Sequence, residues 1–488
     1  MLSSWGYTAG MSHVTVSPGS GRLPVAPLAV CAGVAILALV IATQNPLLSV
    51  AAIASALVVA VILRWPVAGL LLLIPSVPFQ SLRSFSLGPF PASSTELLLG
   101  LTFLSWLLRV LLNRQQRLGP MPLLPPLLLF LTGIVLSFLA IIAAPVGQSS
   151  LVLGFKELVK WVELLLAYVL ATNLLTTRRE LLLAAYLLVA GAAVEAAVGL
   201  AQFVLRKGPP SFLIHGVFMR AYGTFDQPNP FAGYLNLALP LAAALLVANV
   251  RRPAGRWLFF ATTTIAAAVL ASLSRGAWLA LFVAAVVLLD RGGRRSRALV
   301  GLGVGCVIIG AWLYAVHLLP ASLTVRISTA LAIANVDVLH PTPATFSAAQ
   351  RLAYWIAGEH MFTDHWLLGV GMGNYGAVYP QYALTGWDLG LAHAHDYYLN
   401  QAVETGIVGL GTYLIFLFVA FRHLWTCVNR TRDAVLRAIA AGVLGMLITL
   451  SVHNSLDDLY VHGTVVQIAT MLAMAGLAAR LGDEARGR

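Results

Sequence analysis

The sequence predicts an all-α fold: a polytopic bundle of 12–14 transmembrane helices with one long loop, containing short helices, outside the membrane. The first observation is composition. Of the 488 residues 59% are hydrophobic and 10% are charged, whereas soluble domains carry about 25% charged residues. The second is a succession of apolar segments long enough to cross a hydrocarbon core of roughly 30 Å. The third is a single long polar interval, residues 318–396. Together these observations exclude a soluble protein.

Fourteen apolar segments have the length and polarity of a membrane-spanning helix. The third is short and contains Pro75 and Pro78, so twelve or thirteen spans also fit the sequence. In chain order the predicted segments are 27–43, 46–63, 66–79, 94–112, 121–144, 151–175, 181–205, 230–250, 256–272, 276–290, 298–317, 397–421, 435–453 and 463–480.

The distribution of basic residues predicts the orientation, because Lys and Arg concentrate in cytoplasmic loops. Of the 30 Lys and Arg residues, 21 lie in one set of alternate connections and seven in the other, while Lys156 and Lys160 lie inside a predicted helix. Both termini are therefore expected in the cytoplasm. The net charge of +12 arises mostly from these short loops, which argues against a nucleic-acid partner. The predicted regions are a cytoplasmic segment 1–26, helices with short loops over 27–317, an extracytoplasmic loop 318–396, C-terminal helices over 397–480 and a cytoplasmic tail 481–488.

Two short polar inserts fall on the same predicted outer side as the long loop. In the first, Asn229 is placed to cap a helix that Pro230 opens, and a helix start at that surface is a ready anion site. Arg220, in the same insert, is a basic residue on the side that has few of them. In the second insert the turn is so short that Arg275 must lie at the outer interface. There it either faces a wet cavity or extends toward lipid headgroups.

Charged residues also occur inside one predicted span. Lys156, Lys160 and Glu163 share a helix face by their spacing, with Glu157 beside them. These groups either pair with one another or meet a lipid phosphate in a cavity open to the outer leaflet.

The long loop ends in His393-x-His395-Asp396, directly before an apolar helix. A histidine can accept a proton from a hydroxyl group near neutral pH. Because no third ligand follows at a convincing spacing, we predict neither a metal nor a cofactor. His453, with Asp457 and Asp458 at another outer helix end, could complete a site in space. Earlier in the loop, residues 346–362 have helical spacing of apolar side chains and predict an interfacial amphipathic helix.

These stretches resemble the O-antigen ligase and polymerase superfamily of bacterial cell-envelope glycosyltransferases. The resemblance covers roughly residues 150–460. It depends on the order of the motifs along the chain and on their prediction on the same side of the membrane. The matching pieces are Arg220-x-x-Gly223-Thr224-Phe225-Asp226-x-Pro228-Asn229, Ser274-Arg275-Gly276-Ala277, Arg351 with Gly369-x-Gly371-x-Gly373, and His393-x-His395-Asp396 with Glu404-x-Gly406.

The resemblance implies transfer of a glycan from a polyprenyl (undecaprenyl) diphosphate carrier to an acceptor hydroxyl on the outer face of the bacterial inner membrane. The acceptor is a lipid A-core, as in lipopolysaccharide biosynthesis, another glycan or a protein, and the reaction is metal-independent and inverting. Arg220 and Arg275 would bind the diphosphate and His395 would be the catalytic base, although Asp396 stands where the family usually has Asn. The predicted substrate-binding residues are Lys156, Lys160, Asn229, Arg351, His393 and His453.

Two other functions stay open at this point. A glycan polymerase shares all of this chemistry and differs only in its acceptor. A transporter of an anion such as bicarbonate, or of a lipid, would favour charged residues at mid-span and internal repeats. The sequence offers only Glu195 at mid-span and no repeat, so it favours the glycosyltransferase.

Overall fold

The structure is a computed structural model. It describes residues 33, 46–82, 84–87, 90–113, 118–214, 218–288, 301, 312, 336–342, 345–390 and 392–484. Within these residues eight helices are long and apolar enough to cross a membrane, and three shorter apolar helices accompany them. The predicted class, an all-α polytopic membrane protein, is therefore confirmed.

The described chain contains fourteen α-helices and two small β-hairpins. The helices are α1 Pro46–Arg64, α2 Pro66–Ser76, α3 Ser94–Leu112, α4 Leu124–Ala143, α5 Leu151–Leu174, α6 Arg178–Leu205, α7 Pro228–Asn249, α8 Pro253–Ala271, α9 Arg275–Leu288, α10 Phe346–Asp364, α11 Tyr375–Val378, α12 Tyr397–Arg430, α13 Ala434–His453 and α14 Thr464–Glu484. The hairpins pair β1 Ser84–Leu87 with β2 Phe90–Ser93 and β3 Leu213–Ile214 with β4 Phe218–Met219, both antiparallel.

Twelve of the fourteen predicted spans correspond to a helix in the described chain. Of the other two, 27–43 and 298–317, the structure describes only single residues. The third predicted span, 66–79, ends as an α-helix at Ser76 and continues as a 3-10 turn, Val77–Leu82. Pro78 explains why helix α2 ends here, because proline has no N–H to continue the helical hydrogen-bond pattern.

The C-terminal helices form the centre of the bundle. Helix α13 packs against α7 and α9, α14 packs against α5, and α12 packs against α4. Small residues allow the closest approach, as is usual between helices in membranes: a methyl group at Gly442 would lie 2.5 Å from Cα of Leu241. This packing brings the ends of α8 and α13 to the same side of the bundle as the starts of α9 and α12.

The part of the long loop that the structure describes packs on this side of the bundle. The helix predicted over residues 346–362 is present as α10, Phe346–Asp364, which packs against α12. Its place at the membrane interface stays a prediction. The following turns are rich in glycine, and Gly369, Gly371 and Gly373 all have positive φ angles.

Helix α12 is interrupted at Gly406, whose φ of 64° and ψ of −169° are not helical. The loop satisfies backbone groups on both sides of this break. Trp366 O accepts from Ile407 N at 2.8 Å, and Val370 N donates to Val403 O at 2.9 Å. These backbone hydrogen bonds therefore hold the segment around residues 366–370 of the loop directly against the first turns of α12.

We expect Gly406→Ala to destabilise the protein, because a methyl group there would overlap the carbonyl group of Leu367 and because φ is positive. The expected loss is about 1–3 kcal/mol, typical of overpacking, and it is measured as a lower thermal midpoint in detergent. Gly411→Ala is the matched control: it lies in the same helix and its methyl group would meet no atom within 4 Å. Equal midpoints for the two variants would contradict this account of the break.

Candidate functional site

A small cavity of about 60 Å³ lies where the ends of α8 and α13 meet the starts of α7, α9 and α10. Its wall brings together three arginines that are distant in sequence. The lining residues are Arg220, Asn229, Leu273, Ser274, Arg275, Gly276, Ser347, Arg351, His453, Leu456 and Asp457.

Arg220 is held in place by its neighbours across the cavity wall. Its Nε donates to the carbonyl of Ser272 at 2.8 Å, and its Nη2 donates to Oδ1 of Asn229 at 2.8 Å. Two side chains of α6 hold the loop that follows Arg220. Glu195 accepts from Thr224 N at 2.7 Å, and Gln202 accepts from Gly223 N at 2.8 Å. Glu195, the residue predicted at mid-span, therefore holds the loop that follows Arg220 in place.

Asn229 does not cap helix α7. The helix begins at Pro228 with Gln227 as its N-cap, so Asn229 is already a helical residue and the predicted capping role is wrong. Its side chain instead links two site residues, because Nδ2 donates to Oδ2 of Asp457 at 2.8 Å while Oδ1 accepts from Arg220.

Arg275 opens helix α9 after a turn held by serine side chains. Ser272 Oγ donates to Val269 O at 2.6 Å and accepts from Ser274 N at 3.2 Å. Gly276 allows His453 to lie close, because a methyl group there would be 2.9 Å from the ring Cδ2. His453 is 1% exposed and lines the cavity. Among the described residues its Nδ1 has no hydrogen-bond partner.

His395 is held in an uncommon backbone conformation at the start of α12, with φ of 55°. Such left-handed non-glycine residues occur frequently at functional sites. The next residue, Asp396, is the N-cap of α12 and accepts from the backbone N of Tyr398 at 2.9 Å and of Leu399 at 3.1 Å. Asp396 therefore caps the helix that follows His395. Asp and Asn cap helices about equally well, which explains why Asp is tolerated where the family has Asn.

The acidic partner of His395 is Asp457, which lies in the loop between α13 and α14. Asp457 Oδ1 is 3.3 Å from His395 Nδ1, and Asp457 Oδ2 is 3.9 Å from Arg351 Nη2. Burial alone would raise the pKa of Asp457, but its hydrogen bond with His395 and the positive charge of Arg351 outweigh burial and hold this pKa well below its usual range. An ionised Asp457 fixes the ring of His395 and leaves its Nε2 as the acceptor.

His393 stacks edge-on against His395, with ring centroids 4.5 Å apart. Its Nδ1 accepts from the backbone N of His395 at 3.2 Å. Burial is the main reason why the pKa of His393 lies below the usual value, with the nearby Asp458 opposing that shift. His393 is therefore neutral at neutral pH.

The two lysines of α5 occupy different environments. Lys160 forms an ion pair with Glu157, as one of the two sequence interpretations expected. Lys156 is exposed. Neither lysine belongs to the described cavity wall, and their substrate-binding role stays a prediction.

Sequence reasoning did not select Asp457 as a site residue, although it noted the residue at an outer helix end. The only sequence signal for Asp457 was its position between the last two predicted helices, close to His453. The pairing with His395 depends on the docking of α12 against α13, where Tyr397 N donates to Asn454 O at 2.7 Å.

A larger cavity, of about 450 Å³, lies at the opposite end of the bundle, between α5, α12, α14 and the segment 120–122 that precedes α4. Its wall includes His423, Arg430 and Arg480 but none of the predicted site residues. The smaller cavity is therefore the candidate site, because it gathers side chains that can bind an anion and move a proton.

The fold and site define a polytopic helical membrane protein with an arginine-rich cavity at one end of its bundle. Residues 259–414 match the family described as O-Antigen ligase, which confirms the resemblance predicted from the motifs. The matched segment contains Arg275, Arg351 and His395, while Arg220 precedes it and Asp457 follows it. The family indicates a glycosyltransferase-type enzyme of the ligase or polymerase kind, acting on glycan and lipid-linked substrates in a membrane. No curated protein sequence matches the chain significantly.

Proposed function

We propose that the protein transfers a glycan from a polyprenyl diphosphate carrier to an acceptor hydroxyl on the outer face of the bacterial inner membrane. The observation that carries this proposal is the cavity in which Arg220, Arg275 and Arg351 lie beside the His395–Asp457 pair. Guanidinium groups suit phosphate oxygens, because their planar donors match them two at a time.

The donor enters with its lipid tail in the bilayer and its diphosphate in the cavity. The acceptor oxygen attacks the anomeric carbon while the bond from that carbon to the diphosphate oxygen breaks, and this inverts the anomeric centre. Negative charge grows on the leaving diphosphate, and arginines fixed in advance stabilise that charge at no cost of reorganisation. Arg220 meets this requirement, because Ser272 and Asn229 fix its guanidinium group.

The imidazole of His395 takes the proton of the acceptor hydroxyl on Nε2. Asp457, hydrogen-bonded to Nδ1, stabilises the imidazolium that forms. The cation is then next to an ionised carboxylate, so the proton transfer is favoured. The residues of this chain thus supply both the base and the diphosphate clamp, and the mechanism requires no metal.

The decisive experiment is transfer in vitro, with the full chain purified in detergent, a purified lipid-linked glycan and EDTA. Formation of a glycan–acceptor product with release of polyprenyl diphosphate supports the proposal. Lipid A-core, the glycan itself and a protein are supplied as separate acceptors, which distinguishes a ligase from a polymerase. Uptake of bicarbonate or lipid into proteoliposomes, without any transfer product, would support a transporter instead.

The proposal requires the 318–396 loop to lie outside the cytoplasm. In a chain with Cys31, Cys306 and Cys427 replaced by Ala, we expect Leu389→Cys to react with an impermeant maleimide in cells whose outer membrane has been permeabilised. Leu389 is 91% exposed. The control is Arg179→Cys, an exposed residue in the opposite set of connections, which should react only after lysis. The reverse pattern would contradict the orientation and the proposed side of the reaction.

A further inference from the structure

Three potential metal ligands converge next to the candidate site. His393, His395 and Asp457 each offer one nitrogen or oxygen atom, and these atoms lie within 4.8 Å of one another. From this geometry we propose that the three residues form a binding site for a transition-metal dication of the Zn²⁺ class, and that a metal bound there inhibits the transfer reaction. The inhibition rests on the proposed function, whereas the binding does not.

The chemistry of the three ligands suits zinc. Two imidazoles and one carboxylate are a common set of three protein ligands, with a fourth position left to water or substrate. Such ligands bind Zn²⁺ at about 2.0–2.2 Å, so small side-chain rotations would close the trio around one ion. Both histidine residues are partly exposed, and the side chain of His395 is 17% exposed, which leaves an entry route.

The two carboxylate oxygens of Asp457 have different partners. Oδ2 accepts from Asn229 and faces Arg351, while Oδ1 faces His395 and accepts from the backbone N of Asp458 at 3.0 Å. The metal would therefore use Oδ1 and replace the hydrogen bond between Asp457 and His395. Arg351 opposes a cation, but it lies on the far oxygen at 3.9 Å.

Metal binding and proton transfer compete for the same electrons. A neutral imidazole has a single lone pair, because its other ring nitrogen carries a proton. If the metal binds either nitrogen of His395, that ring can no longer accept the proton of the acceptor hydroxyl. His393 would also have to release the backbone N–H of His395, which its Nδ1 now accepts.

The first test measures binding by the chelator-stripped full chain in detergent, with Co²⁺ as the probe. We expect visible absorption bands typical of tetrahedral Co²⁺, at a stoichiometry near one, that disappear when Zn²⁺ is added. His393→Gln and Asp457→Asn should each weaken binding by about 100-fold or more, since even loss of a residue that only supports a ligand costs 10–100-fold. The matched control is His340→Gln, because His340 and Asp337 form an exposed pair 3.2 Å apart, outside the trio.

The second test adds Zn²⁺ to the transfer assay and expects inhibition over the concentration range in which it displaces Co²⁺, with full recovery on chelation. No Co²⁺ bands in the wild type, or equal bands in His393→Gln, would overturn the site. Binding without inhibition of a measurable reaction would overturn the inhibitory role. If no transfer reaction is found, the proposed function fails while the Co²⁺ titration still decides the metal site.

Discussion

His395→Ala is expected to lower the rate of glycan transfer by about 10²- to 10⁴-fold, the usual contribution of a general base. The physical reason is the loss of the imidazole that we propose takes the acceptor proton, while Asp457 loses its hydrogen bond with His395. The measurement is in vitro transfer from purified lipid-linked glycan in EDTA. Binding of the lipid-linked donor, measured separately, should be nearly unchanged.

His393→Ala, assayed beside it, should have a milder effect, because His393 contacts His395 through a backbone N–H and an edge-on ring. A folding check is needed for both variants, since the left-handed backbone of His395 depends on its surroundings. Monodisperse elution and an unchanged thermal midpoint provide it. Full activity of a well-folded His395→Ala variant would refute the catalytic role.

Arg275→Ala is expected to lower kcat/KM by about 10²- to 10³-fold, the range seen when one charge-stabilising donor is removed from an active site. Arg275→Lys should fall between the wild type and the alanine variant. Lysine keeps the charge but lacks the planar pair of donors that fits a phosphate group. The assay compares initial rates over a range of donor concentrations.

The matched control for this prediction is Arg256→Ala, an exposed arginine at the opposite end of helix α8 from the turn that precedes Arg275. It should leave kcat/KM within about twofold, because exposed charges away from a site contribute little. Equal rates for Arg275→Ala and the wild type, at equal expression, would remove the arginine from the proposed diphosphate clamp.

The fold was predictable because hydrocarbon thickness sets the length of each span. Most predicted segments match a helix to within a few residues at each end, for example Leu124–Ala143 for 121–144. Helix α12 is an exception, because it continues to Arg430 where the predicted segment ends at 421. The break in α12 was not predictable. A glycine such as Gly406 inside an apolar segment is only a weak signal, and the backbone groups that satisfy the break belong to residues 366 and 370.

Two residues of the candidate site were predictable because they violate a rule of membrane topology. Arg220 and Arg275 attracted notice as basic residues on the side with few of them, and both line the cavity. Asn229 was assigned to the wrong contact, because the pattern Asn-Pro predicts a cap and cannot reveal that helix α7 begins two residues earlier, at Pro228. Asp457 in a polar loop breaks no rule, so only tertiary contacts give it a partner.

The place of Asp457 near the C-terminal end of the described chain has a consequence for biogenesis. A chain is synthesised from its N-terminus, so Arg220, Arg275 and His395 all reach the membrane before Asp457 exists. Until the segment that contains Asn454 and Asp457 has been inserted, Asn454 cannot accept from Tyr397 and the hydrogen bond from Asp457 cannot orient the ring of His395. A chain that ends before Asp457 therefore contains the three residues Arg220, Arg275 and His395 without the hydrogen bond between His395 and Asp457. If the proposed function holds, the proposed base is therefore assembled only after the segment that follows α13 has been made, later in synthesis than the arginines.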